Sequence, residues 1–181
     1  ITCAIAGPTR APRCWGSNAD LRSTPPSGLA GLVDLDANEA GVCAVTDSGD
    51  VRCWGKNQPT HTIRPLGESD LVRDACIGQE HMCVLFVNGT VQCRGGNGQG
   101  QATPPMNDAF ESLESGGYVT CGVRANRTVR CWGNPTGTLW PIDTQVLRMT
   151  CSSPPSIGCC AVFINGTIGC LGSFFRSFSV S

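Results

Sequence analysis

The sequence predicts an all-β fold: a β-propeller of about five blades, made of repeats of roughly 39 residues with disulfide-clamped hairpins. Three observations carry this. A cysteine-bounded segment recurs five times, each copy alternates like a hairpin, and glycine and proline abound where no sustained helical period occurs. The hairpins span 3–16, 43–55, 83–95, 121–133 and 160–172 of a single repeat domain covering 1–181. Their second cysteines, Cys14, Cys53, Cys93, Cys131 and Cys170, follow one another at intervals of 39, 40, 38 and 39 residues.

Within a unit, an aliphatic residue lies two positions after the first cysteine (Ile5, Val45, Leu85, Val123, Val162). In the last four units another lies two before the second cysteine (Val51, Val91, Val129, Ile168). Offsets of two place cysteine and aliphatic side chains on one strand face. Turn formers separate the strands: Asp47-Ser48-Gly49-Asp50, Asn88-Gly89-Thr90, Asn126-Arg127 and Asn165-Gly166-Thr167. Folding about these turns sets the cysteines opposite one another, predicting Cys3–Cys14, Cys43–Cys53, Cys83–Cys93, Cys121–Cys131 and Cys160–Cys170, with Cys159 as the alternative partner of Cys170. In the first unit Gly7-Pro8 and Pro12 replace the turn and a strand position, so its hairpin is expected to be looser or at an edge.

Pro-rich linkers such as Ser23-Thr24-Pro25-Pro26 and Thr103-Pro104-Pro105 lead to short apolar segments: Leu32 to Leu35, Leu71-Val72, Phe110 with Leu113, and Val146-Leu147. Each reads as one further strand per unit. The first unit lacks this leading strand, and 173–181, with Phe174, Phe175, Phe178 and Val180, reads as a strand that closes the ring or is donated to a neighbouring molecule.

Composition narrows the function. The chain of 181 residues holds 13 Cys, 23 Gly and 12 Pro, with 15% charged residues and a formal net charge of −1. A near-neutral chain offers no basic face to a phosphate backbone, so nucleic acid is not an expected partner. There is no Cys-x-x-Cys pair, and the two histidines, His61 and His81, lie apart from the cysteines. Metal centres want such pairs; disulfides are the expectation instead, and with them an extracellular or cell-surface location. No cofactor is expected. No charged-then-apolar leader follows Ile1, so a leader is expected to have been removed. No apolar run is long enough to span a bilayer, so this segment is expected to make no membrane contact.

Asp47-Ser48-Gly49-Asp50-Val51 with Trp54-Gly55-Lys56-Asn57, and Gly95-Gly96-Asn97-Gly98-Gln99-Gly100-Gln101, resemble the repeat of the regulator of chromosome condensation superfamily. His81, after Gly78-Gln79-Glu80, is similar to the histidine of that family's inner strand. The cysteine-paired version resembles the ectodomains of crinkly-type plant receptor kinases. Arg94 and Leu171 stand where other units have Trp, and the family's usual seven blades contrast with five hairpins here.

Asn88, Asn126 and Asn165 begin Asn-x-Ser/Thr sequons at the same place in three successive units, which predicts N-linked glycans on exposed turns. Outside the hairpins lie Cys76, Cys151 and Cys159. Cys76 and Cys151 read as corresponding positions; pairing Cys151 with Cys159 is the local choice, a Cys76–Cys151 bridge the alternative, and an odd total requires one free thiol or an external partner. Trp15, Trp54 and Trp132 read as blade packing, Trp140 as a linker or surface contact, His81 as a structural hydrogen bonder and His61 as solvated. Asp34, Asp36 and Glu39 read as blade-edge residues without partners. No nucleophile is grouped with a base and no carboxylates are paired, so no enzyme is expected. The expectation is an extracellular glycoprotein module for structural assembly or protein–protein interaction, through a protein partner or self-assembly by the C-terminal tail. A propeller lectin and a secreted protein inhibitor are the alternatives; the resemblance supplies the latter.

Overall fold

A computed structural model describes residues 1–56, 71–134, 145–152 and 158–172. The protein is a β-propeller whose five antiparallel sheets follow one another along the chain. The first has two strands, β1 (Thr2–Ala6) and β2 (Ala11–Trp15). The other four have three strands each: β3 (Leu32–Ala37), β4 (Val42–Thr46) and β5 (Val51–Trp54); β6 (Val72–Ile77), β7 (His81–Phe86) and β8 (Val91–Gly95); β9 (Ser112–Gly116), β10 (Val119–Val123) and β11 (Val129–Gly133); β12 (Val146–Ser152), β13 (Gly158–Phe163) and β14 (Ile168–Gly172). Among the described residues the one helical piece is a 3-10 turn, Ala19–Leu21, and no helix is long and apolar enough to cross a membrane.

Register explains the clamps. Cys3 faces Cys14, Cys43 faces Cys53, Cys83 faces Cys93, Cys121 faces Cys131 and Cys160 faces Cys170, each pair bonded across its hairpin. The first hairpin is regular rather than loose, pairing from Thr2 with Trp15 to Ala6 with Ala11. Pro12 is tolerated because β2 is an edge strand, where a missing N–H breaks no ladder.

The core lies between sheets, not within them. Each sheet presents a disulfide face, the bridge flanked by aliphatic residues, to the next sheet's opposite face. Cys43, Val45 and Val51 meet Val72, Ala75, Ile77, Met82 and Val84. Cys83, Leu85 and half-buried Val91 meet Phe110, Leu113 and Trp132. Cys3 and Cys14 meet Val42, Ala44 and Trp54. Arg94, exposed where the pattern wants Trp, is compensated by its register partner Met82, whose sulfur lies 3.8 Å from Cys53 Sγ. The glycine at the end of the outer strand has a steric reason in the second, third and fourth sheets, at Gly55, Gly95 and Gly133. At Gly95, φ is +104° and a Cβ would sit 2.3 Å from the Glu80 carbonyl oxygen. Gly95→Ala is therefore expected to destabilise by more than about 1 kcal/mol, read as a shift of the denaturant midpoint.

The hairpin turns share one end of the propeller. Leu32 N–H donates to the Arg10 carbonyl, Phe110 N–H to that of Gly89 and Val146 N–H to that of Arg127, so each turn meets the start of the next sheet's inner strand. The opposite end is tied by Gln79 N–H on the Gly117 carbonyl and by Asn38 Nδ2 on the Ile77 carbonyl. His61, Trp140 and the 173–181 segment lie outside the described residues.

Candidate functional site

Four carboxylates stand on the innermost strands β3, β6 and β9, and each of them reaches the next sheet. Asp34 Oδ2 accepts from Ala75 N–H at 3.1 Å, Asp36 Oδ2 from Ile77 N–H at 2.9 Å, Asp74 Oδ2 from Leu113 N–H at 2.7 Å and Glu114 Oε2 from Cys151 N–H at 3.4 Å. The inner edge of a blade has no neighbouring strand to take these N–H groups, and the preceding blade's carboxylate satisfies them instead. The reading of Asp34 and Asp36 as partnerless is thereby corrected. The N–H donors they accept from lie about one repeat away, beyond any local pattern. Burial pushes Asp36 up to about 6, Asp74 up to about 7 and Glu114 up to about 8. The neighbouring Asp34 carboxylate raises Asp74 further, and Asp36 does the same to Glu114. A cleft of about 240 Å³, lined by Asp36, Asn38, Ser115 and Ser152 among others, opens beside this group at the end away from the hairpin turns.

Deeper between the third and fourth sheets runs a buried polar chain. Cys76 Sγ lies 2.9 Å from Ser115 Oγ, Ser115 Oγ donates to Thr120 Oγ1 at 3.2 Å, and Thr120 Oγ1 lies 2.7 Å from His81 Nε2. A thiol, two hydroxyls and an imidazole are thus brought together, which the sequence did not announce because they come from four strands. Burial drives the Cys76 thiol well above its ordinary value and lowers His81 to about 4, so the thiol stays protonated and the imidazole neutral. Such a chain ties the third and fourth sheets together.

Cys151 and Cys159 are bonded, and Cys76 is the free cysteine, buried. Cys76 and Cys151 are not corresponding positions, contrary to the spacing-based reading. Cys76 pairs in register with a hairpin cysteine, Cys83, whereas Cys151 pairs with Cys159, one residue before the hairpin cysteine Cys160. A shift of one residue turns a side chain to the other face of the sheet. The Cys151–Cys159 bridge consequently packs on Cys121 of the preceding sheet, with Cys121 Sγ and Cys159 Sγ 3.9 Å apart. The sulfurs of Cys121, Cys151 and Cys159 converge, but all three are tied in disulfides, whereas a metal needs thiolates.

The three sequon turns share one geometry. Asn88 Oδ1 accepts from the N–H and Oγ1–H of Thr90, Asn126 Oδ1 from those of Thr128 and Asn165 Oδ1 from those of Thr167, at 2.6–3.1 Å throughout. All three asparagines are exposed at the hairpin-turn end. At the opposite end, between the second and third sheets, Arg22, Glu39, Lys56, Gln79 and Glu80 line a polar cleft of about 460 Å³.

The architecture has solved counterparts. The ectodomain of the Arabidopsis thaliana receptor kinase ACR4, a CRINKLY WD40 structure, superposes with a TM-score of 0.76 at 22% identity, over 98% of this chain and 64% of that one. The entire ectodomain of the Physcomitrella patens receptor kinase CR4 gives 0.76 at 24% identity, over 98% of this chain and 50% of that one. The fold is the cysteine-paired, crinkly-type propeller. Yeast Prp20p, of the regulator of chromosome condensation type, superposes at 0.59 with 14% identity, over 79% of this chain and 44% of that one. No family model matches the chain. The chain spans about half to two thirds of the ectodomains it resembles.

On that frame, Trp54 and Trp132 pack between blades at 7% and 8% exposure, but Trp15 is 54% exposed, a correction to its reading as blade packing. His81 bonds Thr120, as its structural reading requires.

Proposed function

We propose that the chain is an extracellular, N-glycosylated protein-interaction module that performs no catalysis. The observation that carries this reading is the combination of six hairpin-scale disulfides with three sequon asparagines held in one turn geometry at one end of a crinkly-type propeller. Disulfides persist in oxidising compartments, and sequons there are accessible to glycosylation. The chemistry of the buried thiol and imidazole supports the non-catalytic part. Both groups sit in the uncharged forms that favour packing over reaction.

Glycans on Asn88, Asn126 and Asn165 crowd the hairpin-turn end and leave the opposite end, with its two polar clefts, to a protein partner. The two clefts differ in lining, one around Asp36 and Ser152, the other around Arg22 and Lys56. A lectin with one sugar site per blade would repeat its lining, so the protein-binding reading is preferred.

The test is site-resolved mass spectrometry of the chain secreted from a eukaryotic cell, before and after enzymatic glycan release. Mass loss with conversion of all three asparagines to aspartate is expected. Unmodified asparagines at Asn88, Asn126 and Asn165 in secreted material would overturn the glycoprotein part of the proposal.

A further inference from the structure

Where consecutive sheets meet, the residue just before a hairpin's first cysteine lies on the disulfide of the preceding sheet. Val42 packs with Cys3 and Cys14. Met82 Sδ lies 3.8 Å from Cys53 Sγ, and Thr120 Oγ1 lies 3.7 Å from Cys83 Sγ. Between the fourth and fifth sheets the same position is Cys159, whose Sγ lies 3.9 Å from Cys121 Sγ. An aliphatic group, a thioether or a hydroxyl on a disulfide is packing alone, whereas a cysteine sulfur can exchange with it. Cys159 is itself bonded to Cys151, and Cys121 to Cys131. Cys151 Sγ, Cys159 Sγ and Cys121 Sγ all lie within 4.8 Å of one another, so two bridges from neighbouring sheets are stacked sulfur on sulfur.

We propose that these stacked bridges are an exchange site, at which Cys159 changes partner from Cys151 to Cys121 and so bonds the fifth sheet to the fourth. A small thiol such as glutathione begins the step. Its thiolate attacks the half-buried Cys151 Sγ and breaks the Cys151–Cys159 bond. The released Cys159 thiolate attacks Cys121 Sγ; the Cys121–Cys159 bond forms and the Cys121–Cys131 bond breaks. The electron pair leaves on half-buried Cys131 Sγ, which takes up the proton that the entering thiol lost to solvent. Two disulfides exist before and two after, one of them now the mixed disulfide at Cys151, so no oxidant is consumed.

Burial opposes the step by disfavouring the Cys159 thiolate, since Cys121 and Cys159 are 1% and 4% exposed. Contact favours it. The two sheets hold the reacting sulfurs only about 1.9 Å beyond bonding distance. The product also differs in kind from the hairpin clamps. Cys121–Cys131 spans a separation of 10 residues within one sheet, whereas Cys121–Cys159 spans 38 and ties two sheets covalently.

The test uses the 181-residue chain secreted from a eukaryotic cell. In the double variant Cys131→Ser/Cys151→Ser, Cys121 and Cys159 lose their hairpin partners. They are expected to bond to each other, leaving Cys76 as the one thiol titratable after denaturation, as in the unaltered chain. Free thiols at Cys121 and Cys159, or a bridge from either to another cysteine, would overturn the proposal. The unaltered chain is also held folded in glutathione, quenched with acid and alkylated, and its linked peptides are fragmented in a mass spectrometer. Cys121 joined to Cys159 is expected in molecules whose Cys131 is alkylated. If the double variant is not secreted, this measurement decides alone. Alkylation of Cys131 only together with Cys121 would mean reduction without exchange. That result overturns the proposal, as does a Cys151 that never takes up glutathione or takes it up without the Cys121–Cys159 link appearing.

Discussion

Lowering the pH from about 8 to about 5 is expected to stabilise this protein, by on the order of 2 kcal/mol. The inner-strand carboxyls hold their protons to about 6 at Asp36, about 7 at Asp74 and about 8 at Glu114, against ordinary values of 3.8, 3.8 and 4.5. Between those limits the folded state binds protons that the unfolded chain does not. Stability therefore falls as pH rises through the folded values and is recovered as pH drops back toward the ordinary ones. His81 opposes this. Its folded value of about 4 against 6.5 means that the unfolded chain takes up one proton below pH 6.5 that the folded chain refuses. Three carboxyls against one imidazole leave the acid-stabilising direction in excess down to about pH 5. Each proton of difference is worth about 1.4 kcal/mol per pH unit. The expected total is well below the full sum because the carboxyls raise one another and are only half-buried by surface. Asp108 sets the lower limit: its pairing with Arg124 and Arg130 depresses its carboxyl, and that stabilisation is lost in stronger acid. Urea midpoints at pH 8, 6.5 and 5 measure the effect. Asp74→Asn keeps an oxygen for Leu113 N–H without the charge, and is expected to raise the midpoint at pH 8 and flatten the profile. A midpoint higher at pH 8 than at 6.5 would refute the assignment, as would an unchanged profile in Asp74→Asn.

Removing the Cys83–Cys93 bridge is expected to cost about 3–4 kcal/mol. It spans a sequence separation of 10 residues, and on the chain-entropy account a loop of that size contributes about 3 kcal/mol through the unfolded state. The bridge also contributes packing, since Cys83 is 0% exposed and both sulfurs belong to the cluster of Leu85, Phe110, Leu113 and Trp132. Replacing both cysteines by alanine leaves small voids there that add to the loss. The same double replacement at Cys3 and Cys14 acts in the terminal two-stranded sheet, whose bridge is half-buried. That sheet can open without the rest, so the main unfolding transition is expected to move much less. Denaturant midpoints of the two double variants under non-reducing conditions decide it. A loss below about 1 kcal/mol for Cys83→Ala/Cys93→Ala would show that stacking between sheets, not the clamps, carries the stability.

How far the sequence reached follows from the range of its signals. Hairpins, clamps and turn positions were legible because each lies within eleven residues of its partner: alternation of two, Asn-Gly turns and cysteine spacing are local chemistry. The repeat itself was legible because self-similarity needs no knowledge of contacts. Tertiary structure alone decided what passes between blades. Asp34 and Asp74 are ordinary strand-edge acids until the next blade brings Ala75 and Leu113 N–H groups to them, 41 and 39 residues away. Cys76, Ser115, Thr120 and His81 meet only when two sheets stack. Cys76 and Cys151 looked equivalent by count, and a single-residue shift in register sends them to opposite sheet faces. Trp15, Trp54 and Trp132 follow the same Cys-Trp-Gly motif, yet one is exposed and two are buried, because burial of Trp54 and Trp132 comes from the core of another sheet stacked on them, which no local motif encodes.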